Sequence, residues 1–193
     1  MATRVLGLFG GTFDPPHLGH VAAARAAIAA LGLDELVVTV AADPQGKPQA
    51  PTAPAALRLE MAEAAFAGID RVVVSDLELR RGGPTYTIDT VVAMKQAEPA
   101  ASVVLVVGAD AAAGLARWHR AAELSGLVSV AVVPRRGPAV SPPEGFSFRE
   151  VAMAPVDLSS TGIRAALAAG EDPSGLLPAG VIHIALANRL YSP

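Results

Sequence analysis

The chain has 193 residues, enough for one domain of ordinary size, and 52% of them are hydrophobic, so a buried core can form. With 17% charged residues and a net charge of −3, it is neither a disordered polyelectrolyte nor a basic nucleic-acid-binding protein. It contains no cysteine, which excludes disulfides, thiol nucleophiles and cysteine-based metal sites. The longest uncharged stretch, Pro173–Asn188, holds two prolines and two glycines, which argues against a membrane span. We expect a soluble, cytoplasmic protein with no membrane partner.

Apolar runs alternate with helical patterns along the chain. Strands are predicted at Arg4–Phe9, Glu35–Ala41, Arg71–Ser75, Ser102–Val107, Leu127–Val133 and Phe146–Met153. Helices are predicted at Leu18–Leu31, Ala55–Phe66, Tyr86–Glu98, Ala111–Trp118, Ser160–Ala169 and Ala179–Leu190. Proline and glycine predict loops or turns at Ala42–Pro54, 80–84 and Arg135–Gly145.

Valine-rich strands that alternate with helices indicate an α/β protein with a doubly wound parallel sheet in three layers, α/β/α. The chain is predicted to be a single domain over residues 1–193, with the sheet core at about 1–155 and a small helical segment at about 156–193. In such sheets ligands bind beyond the carboxyl ends of the strands, near the switch in strand order. The segments that follow each strand are therefore the places to look for a site.

The segment after the first strand reads GGTFDPPHLGH, from Gly10 to His20. Gly10 and Gly11 are expected to let the backbone turn tightly and approach a ligand. The next helix offers N–H groups and a positive dipole end, which suit phosphate. His17 and His20 share one face of its first turn, where two imidazoles could hydrogen-bond phosphoryl oxygens. No third ligand of the usual kind lies nearby, so no metal site is expected here.

Each part of this segment alone has an ordinary structural explanation, because Gly-Gly-Thr turns are common and a lone histidine is rarely catalytic. Together the parts resemble the first signature of the nucleotidylyltransferase superfamily, G-x-F-x-P-x-H-x-G-H. The residues that match are Gly11, Phe13, Pro15, His17, Gly19 and His20. The resemblance implies a Rossmann-like fold. It also implies that His17 and His20 are catalytic and bind ATP, with ATP contacts from Gly10, Gly11, Thr12 and Phe13.

The segment Leu158–Arg164, LSSTGIR, opens a predicted helix. Hydroxyl residues at a helix start are ordinary N-caps, yet the same helix end with an arginine one turn in could hold a triphosphate. The segment resembles the superfamily's second signature, I-S-S-T-x-x-R, with leucine for isoleucine. The resemblance implies ATP contacts from Ser159, Ser160, Thr161 and Arg164, and a catalytic role for Arg164. The two signatures would have to meet at one end of the sheet.

The middle of the chain resembles one family more closely. Glu78–Thr90 is similar to the E-x-x-R-x-x-x-[ST]-Y-T-x-x-T stretch of nicotinate mononucleotide adenylyltransferases. Gly108–Asp110 followed by Trp118 resembles the G-x-D…W segment of that family, Pro134–Gly137 its turn after the fifth strand, and Leu176–Tyr191 its closing helix. The resemblance covers nearly the whole chain and implies adenylyl transfer from ATP to a pyridine mononucleotide.

Three features would suit these substrates physically. Trp118 could stack on a pyridine ring, and backbone N–H groups at Thr85, Tyr86 and Thr87 could receive the nicotinate carboxylate. The competing explanations are a tryptophan that fills the core and a tyrosine that staples a helix. Gly108 and Asp110 follow the fourth strand, where Asp110 suits ribose hydroxyls of ATP or, equally, an N-cap.

One region departs from the family pattern. The loop after the second strand, Ala42–Gln49, keeps Lys47 but lacks the aromatic or histidine that the family usually carries there. Lys47 and, after the fifth strand, Arg136 are predicted to bind the mononucleotide, although a lone loop lysine is usually just solvated.

The predicted reaction joins ATP and nicotinate mononucleotide into the dinucleotide and releases pyrophosphate. The attacking phosphate is already an anion at neutral pH, so the protein has only to align the substrates and stabilise charge. Mg²⁺ is expected on the ATP phosphates rather than in a protein metal site. The alternatives are another acceptor or nucleotide (nicotinamide mononucleotide, phosphopantetheine or CTP) and a non-catalytic nucleotide-binding paralogue. No nucleic-acid partner is expected, and a homo-oligomer stays open.

Overall fold

A computed structural model describes residues 3–44, 50–134, 145–154 and 156–191. Eight strands are found in these residues, and we number them in chain order: β1 Val5–Gly11, β2 Glu35–Val40, β3 Asp43–Pro44, β4 Val72–Ser75, β5 Pro84–Thr85, β6 Ser102–Gly108, β7 Val128–Val133 and β8 Phe148–Glu150. Six of them form one parallel sheet in the order β4-β2-β1-β6-β7-β8, while β3 and β5 form a separate parallel pair. The order reverses between β1 and β6, which is the topological switch point of a doubly wound sheet.

Eight α-helices connect or follow the strands of the described chain: α1 Leu18–Leu31, α2 Ala55–Phe66, α3 Leu77–Arg81, α4 Thr87–Ala97, α5 Ala109–Ala112, α6 Ala121–Leu127, α7 Ser160–Ala168 and α8 Ala179–Ala187. A short 3-10 helix, Leu115–Arg117, lies between α5 and α6. No helix of the described part is long and apolar enough to cross a membrane.

Two hydrophobic clusters cover the two faces of the sheet. In β6, Val104 and Val106 belong to the cluster that contains α1, α2, α7 and α8. Val103, Leu105 and Val107 belong to the other cluster, with α4, α5 and α6. Successive side chains of a strand point to opposite faces, so a strand that is apolar throughout is buried on both sides. The predicted three-layer α/β/α fold is confirmed.

The structure differs from the predicted elements mainly in short segments. Helices α3 and α6 were not predicted, because five and seven residues are too short for a clear helical period. The predicted turn at 80–84 is wrong in its first half, since Arg80 and Arg81 end α3 and only Gly82 and Gly83 have the positive φ of a turn. The predicted helix at Ala111–Trp118 is instead α5 followed by the 3-10 helix.

The helices that follow the sheet pack back onto it. Gly180 of α8 lies so close to α2 that an added Cβ would be 3.1 Å from the Cβ of Ala64. The N–H of Leu18, at the start of α1, donates to the carbonyl of Leu176 at 3.0 Å. These contacts bring the segment before α8 against the first signature.

Candidate active site

A cavity of about 430 Å³ opens at the carboxyl ends of β1 and β6, at the switch point. All twelve residues that were predicted to contact ATP line it: Gly10, Gly11, Thr12, Phe13, His17, His20, Gly108, Asp110, Ser159, Ser160, Thr161 and Arg164. The two signatures, distant in the chain, therefore meet around one concave surface.

The two glycines of the first signature do not form the predicted turn. Gly10 and Gly11 still belong to β1, where they pair with Thr39 and Val40 of β2, and the positive φ of this segment falls on Phe13 instead. Gly11 is needed for space, because an added Cβ would lie 2.8 Å from Cζ of the Phe13 ring. Because Gly11 has no side chain, the Phe13 ring can pack against the end of β1.

Phe13 lines the cavity, and its ring packs against three other rings. Its side chain is buried and makes edge contacts with Phe9, Phe66 and His20, with ring centroids 5.8, 5.8 and 5.0 Å apart. Edge-to-face packing of this kind fixes ring orientation. Phe13 therefore holds the imidazole of His20 in place at the cavity wall.

His17 and His20 act as one stacked pair at the start of α1. His17 occupies the N-cap position, and the two rings are 3.7 Å apart and 26° from parallel. The backbone N–H of His17 donates to Nδ1 of His20 at 3.2 Å, so a neutral His20 carries its proton on Nε2. Gly19 makes room for this stack, since an added Cβ would be 3.0 Å from Nδ1 of His17.

The second signature is joined to the first by two long-range hydrogen bonds. Ser160 donates through its hydroxyl to the Pro15 carbonyl at 2.9 Å, and Nη1 of Arg164 donates to the Asp14 carbonyl at 2.8 Å. Ser159 is the N-cap of α7, and its hydroxyl accepts from the Gly162 N–H at 3.1 Å. The ordinary N-cap role of Ser159 is therefore confirmed, alongside its place in the cavity wall.

Two buried charged residues that the sequence analysis missed hold these loops. The Asp14 carboxylate accepts from the N–H groups of Thr52 and Ala53 at 2.7 and 3.0 Å and from the hydroxyl of Tyr191 at 2.8 Å. Asp14 lies inside the first signature, but its position in the sequence does not show whether its side chain binds a ligand or supports the fold.

The second of these residues is Arg58, which is only 1% exposed. Its guanidinium donates to the carbonyls of Thr12, Ala41, Ala42 and Ala53 at 2.8 to 3.3 Å, and burial lowers its pKa. A signal was available, because Arg58 shares the buried stripe of α2 with apolar residues three, four and seven positions later. An arginine on such a stripe needs polar partners.

Asp110 is exposed, in the first turn of α5, and lines the cavity. Helix α5 begins at Ala109 and its N-cap position is Gly108, so the alternative explanation of Asp110 as an N-cap is wrong. The predicted contact with a ribose stays open.

The residues predicted to bind the mononucleotide lie outside the lining of this cavity, as far as the structure describes them. Thr85 accepts through its hydroxyl from the N–H groups of Ala42 and Asp43, at 3.1 and 3.2 Å. Tyr86 is the N-cap residue of α4 and Thr87 its first residue. The Tyr86 ring packs on His119, a residue that was not predicted, with centroids 4.2 Å apart.

Trp118 lies beside that pair and is half-buried against the core cluster that includes α4 and α6. Its side chain is therefore neither a fully buried core filler nor fully exposed. After the ligands predicted from the sequence, we call Thr85–Thr87 and Trp118–His119 the pyridine region, and the residues that line the cavity the triphosphate region.

A buried network supports α4 from behind. The hydroxyl of Thr90 donates to the Glu78 carboxylate at 2.8 Å, and the Arg81 guanidinium approaches the same hydroxyl at 3.4 Å. Glu78, Arg81 and Thr90 are the outer matching positions of the middle motif. They link α3 to α4 and so fix where the N-terminus of α4 lies.

Two predicted mononucleotide contacts, Lys47 and Arg136, lie outside the described residues. Within the described ranges, no group of three or more histidine, aspartate or glutamate side chains could hold a metal ion. The prediction that Mg²⁺ comes with ATP stays a prediction.

Comparison with known proteins defines the class of this fold and site. The family model described as cytidylyltransferase-like matches residues 8–166, which include both signatures. The chain belongs to the cytidylyltransferase-like family, whose members have the Rossmann-like nucleotidylyltransferase fold.

Within that family, the chain groups with the nicotinate-nucleotide adenylyltransferases. It is 37% identical to a "Probable nicotinate-nucleotide adenylyltransferase" of Chromobacterium violaceum, over 99% of this chain and 100% of that protein. It is 41% identical to a protein of the same name from Bordetella petrii, over 96% and 98%. The solved structure of Plasmodium falciparum nicotinic acid mononucleotide adenylyltransferase complexed with NaAD is similar in fold, with a TM-score of 0.80, 17% identity and 97% coverage of each chain. The family predicted from the motifs is confirmed.

Proposed function

We propose that this protein transfers the adenylyl group of ATP to nicotinate mononucleotide, which gives nicotinate adenine dinucleotide and pyrophosphate in NAD biosynthesis. The observation that carries the proposal is the meeting of the two signatures at one cavity, through the Ser160–Pro15 and Arg164–Asp14 hydrogen bonds. The names and near full-length coverage of the curated relatives support the same reaction.

The reaction is an in-line displacement at the α-phosphorus of ATP. A phosphate oxygen of the mononucleotide forms the new bond to phosphorus, and the bond to the β-phosphate oxygen breaks, so that pyrophosphate leaves with the electron pair. The nucleophile is already an anion near pH 7, so no protein base is required. The protein contributes alignment and stabilisation of charge on the phosphoryl oxygens.

Each side of the cavity has a separate task. Nε2–H of His20 donates to a phosphoryl oxygen in the transition state, and the stacked His17 holds that ring in its orientation. The N-terminus of α7 and the Arg164 guanidinium, which also line the cavity, hold the β- and γ-phosphates. We propose that Mg²⁺ enters on these phosphates as part of the substrate and neutralises their charge.

The pyridine region binds the acceptor. The indole of Trp118 supplies a flat apolar surface for the pyridine ring, and the N-terminus of the 11-residue helix α4 supplies N–H groups and a dipole end for the nicotinate carboxylate. A neutral nicotinamide group gains less from that dipole, which favours nicotinate as the acceptor.

The test is a direct assay with purified protein, ATP and Mg²⁺. Nicotinate mononucleotide, nicotinamide mononucleotide and phosphopantetheine are compared at equal concentration, and CTP replaces ATP in a parallel series. We expect pyrophosphate release and dinucleotide formation to be fastest with ATP and nicotinate mononucleotide. No product, or an unchanged rate in His20→Ala, would contradict the proposal. ATP binding without turnover would favour a non-catalytic paralogue.

A further inference from the structure

A tyrosine outside both signatures reaches Asp14, which lies within the first signature. Tyr191 follows α8, is only 7% exposed and donates its hydroxyl to Oδ1 of Asp14 at 2.8 Å. Arg189 and Tyr191 both have positive φ, 52° and 64°, which non-glycine residues seldom adopt. The chain after α8 thus adopts an unfavourable backbone conformation, and this conformation brings the Tyr191 ring to Asp14. Strained backbone of this kind is often found near functional sites.

Three neutral donors bind the Asp14 carboxylate, and two of them fill the acceptor sites of Oδ1. Oδ1 accepts from Tyr191 and from the N–H of Ala53, and Oδ2 accepts from the N–H of Thr52. Nη1 of Arg164 lies 3.7 Å from Oδ2, beyond hydrogen-bond distance, and donates instead to the Asp14 carbonyl at 2.8 Å. Arg164 is therefore next to a buried carboxylate without forming the bidentate pair that arginine and carboxylate usually prefer.

A full pair between these two residues would compete with the substrate. Arg164 lines the cavity and its side chain is still 23% exposed, so it can face an anion there. A guanidinium that is bound in two places by a carboxylate has fewer donors left for phosphate oxygens. Among the described residues, the hydroxyl of Tyr191 is the one donor to the carboxylate that a side-chain substitution can remove, because Thr52 and Ala53 donate through the backbone.

We propose that Tyr191 is a positioning residue for the reaction: by occupying Oδ1 of Asp14, it prevents Arg164 from closing a bidentate pair and leaves the guanidinium available for the ATP triphosphate. This inference rests on the proposed function, since it explains how Arg164 stays available to bind ATP. Burial and the bond to Asp14 both raise the pKa of Tyr191, so its hydroxyl remains a donor throughout the working pH range.

The first test is Tyr191→Phe, which removes only the hydroxyl. We expect KM for ATP to rise about tenfold, with KM for nicotinate mononucleotide unchanged. The Tm increase that a non-hydrolysable ATP analogue produces should shrink in parallel. The matched control is Ile184→Val, at a buried residue of α8 whose apolar side chain cannot hydrogen-bond to Asp14; it should lower Tm while KM for ATP stays at the wild-type value. Equal rises in both KM values, or no change in KM for ATP, would overturn the proposal.

The second test is a double-mutant cycle with Asp14→Asn, which removes the negative charge that would attract Arg164. If Tyr191 acts through Asp14, Tyr191→Phe should add no further rise in KM for ATP in the Asp14→Asn background. Multiplicative effects would overturn the proposal. If the wild-type protein forms no dinucleotide, the proposed function fails, but the Tm series with the ATP analogue still decides the role of Tyr191.

Discussion

The triphosphate region and the pyridine region are held together by different kinds of contact. Around the first, the buried side chains of Asp14 and Arg58 bind loops from distant parts of the chain, among them the loop of Thr12 in the cavity wall. In the second, the buried Thr90–Glu78 bond supports α4 from behind, but the contacts between α4 and the segment around His119 lie at the surface: Arg120 pairs with Asp89 at 3.4 Å, and the half-buried Tyr86 packs on the exposed His119. An exposed ion pair contributes at most about 1 kcal/mol, whereas a buried hydrogen bond to a charged group contributes about 1.5–3 kcal/mol.

The two ends of the site should therefore respond differently to substitution. Changes in the triphosphate region should alter folding stability as well as catalysis, because the same residues serve both. Changes in the pyridine region should mainly alter acceptor binding, with a smaller loss in the free energy of unfolding.

The strongest test of the triphosphate region is His20→Ala. Loss of one preorganised donor to the transition state should lower kcat by about 10²–10³-fold. Initial rates of pyrophosphate release measure the effect. Because the His20 ring also packs on Phe13, circular dichroism and Tm must show that the variant is folded. A folded variant with a nearly normal kcat would remove His20 from the catalytic role.

Arg58→Met should cost about 3 kcal/mol of unfolding free energy, because it leaves four carbonyls without their buried donor. Urea denaturation measures the loss. The control is Arg25→Met, because Arg25 is an exposed arginine on the neighbouring helix α1. This substitution should change the free energy of unfolding by less than about 0.5 kcal/mol. Equal small effects in both variants would contradict the structural role assigned to Arg58.

Arg58 also illustrates what could not be predicted from the sequence. Strands, long helices and both signatures were predictable, because periodicity and local motif spacing carry them. The tertiary partners were not: that Arg58 would bind Thr12, or that Tyr191 would reach Asp14, depends on how loops far apart in the chain meet. The turn predicted at Gly11 is wrong, since the absent side chain provides space for Phe13 instead. The predicted roles of Lys47 and Arg136 stay open.

Gly19→Ala tests how finely the histidine stack is placed. An added Cβ would lie 3.0 Å from Nδ1 of His17 and 3.3 Å from Val156, so the ring must shift. We expect kcat/KM to fall about tenfold to a hundredfold, as overpacking by about 1–3 kcal/mol implies. Gly126→Ala in α6 is the matched control, because an added Cβ there meets nothing within 4 Å. A wild-type rate in Gly19→Ala would show that the stack is not required.

Trp118→Ala addresses the pyridine region. Loss of a stacking surface should raise KM for nicotinate mononucleotide about fivefold to tenfold, which corresponds to about 1 kcal/mol. KM for ATP should not change, because Trp118 lies outside the lining of the triphosphate cavity. Steady-state kinetics with each substrate varied in turn separates the two constants. If KM for ATP rises by the same factor, the division into two regions is wrong.

Alkaline pH offers the smallest and most specific contrast. Burial, together with the bond to Asp14, raises the folded-state pKa of Tyr191 above its ordinary value of 10.0. Below pH 10 both folded and unfolded chains keep the proton, so the stabilising contribution is complete. As pH rises further, the unfolded chain ionises at Tyr191 and the folded chain does not, and the free energy of unfolding falls.

Between pH 8 and pH 11 wild type should therefore lose about 1 kcal/mol more unfolding free energy than Tyr191→Phe, measured by urea denaturation. Because Tyr86 is the only other tyrosine and is present in both proteins, its titration cancels, and parallel curves would mean that the phenol does not resist ionisation in the fold.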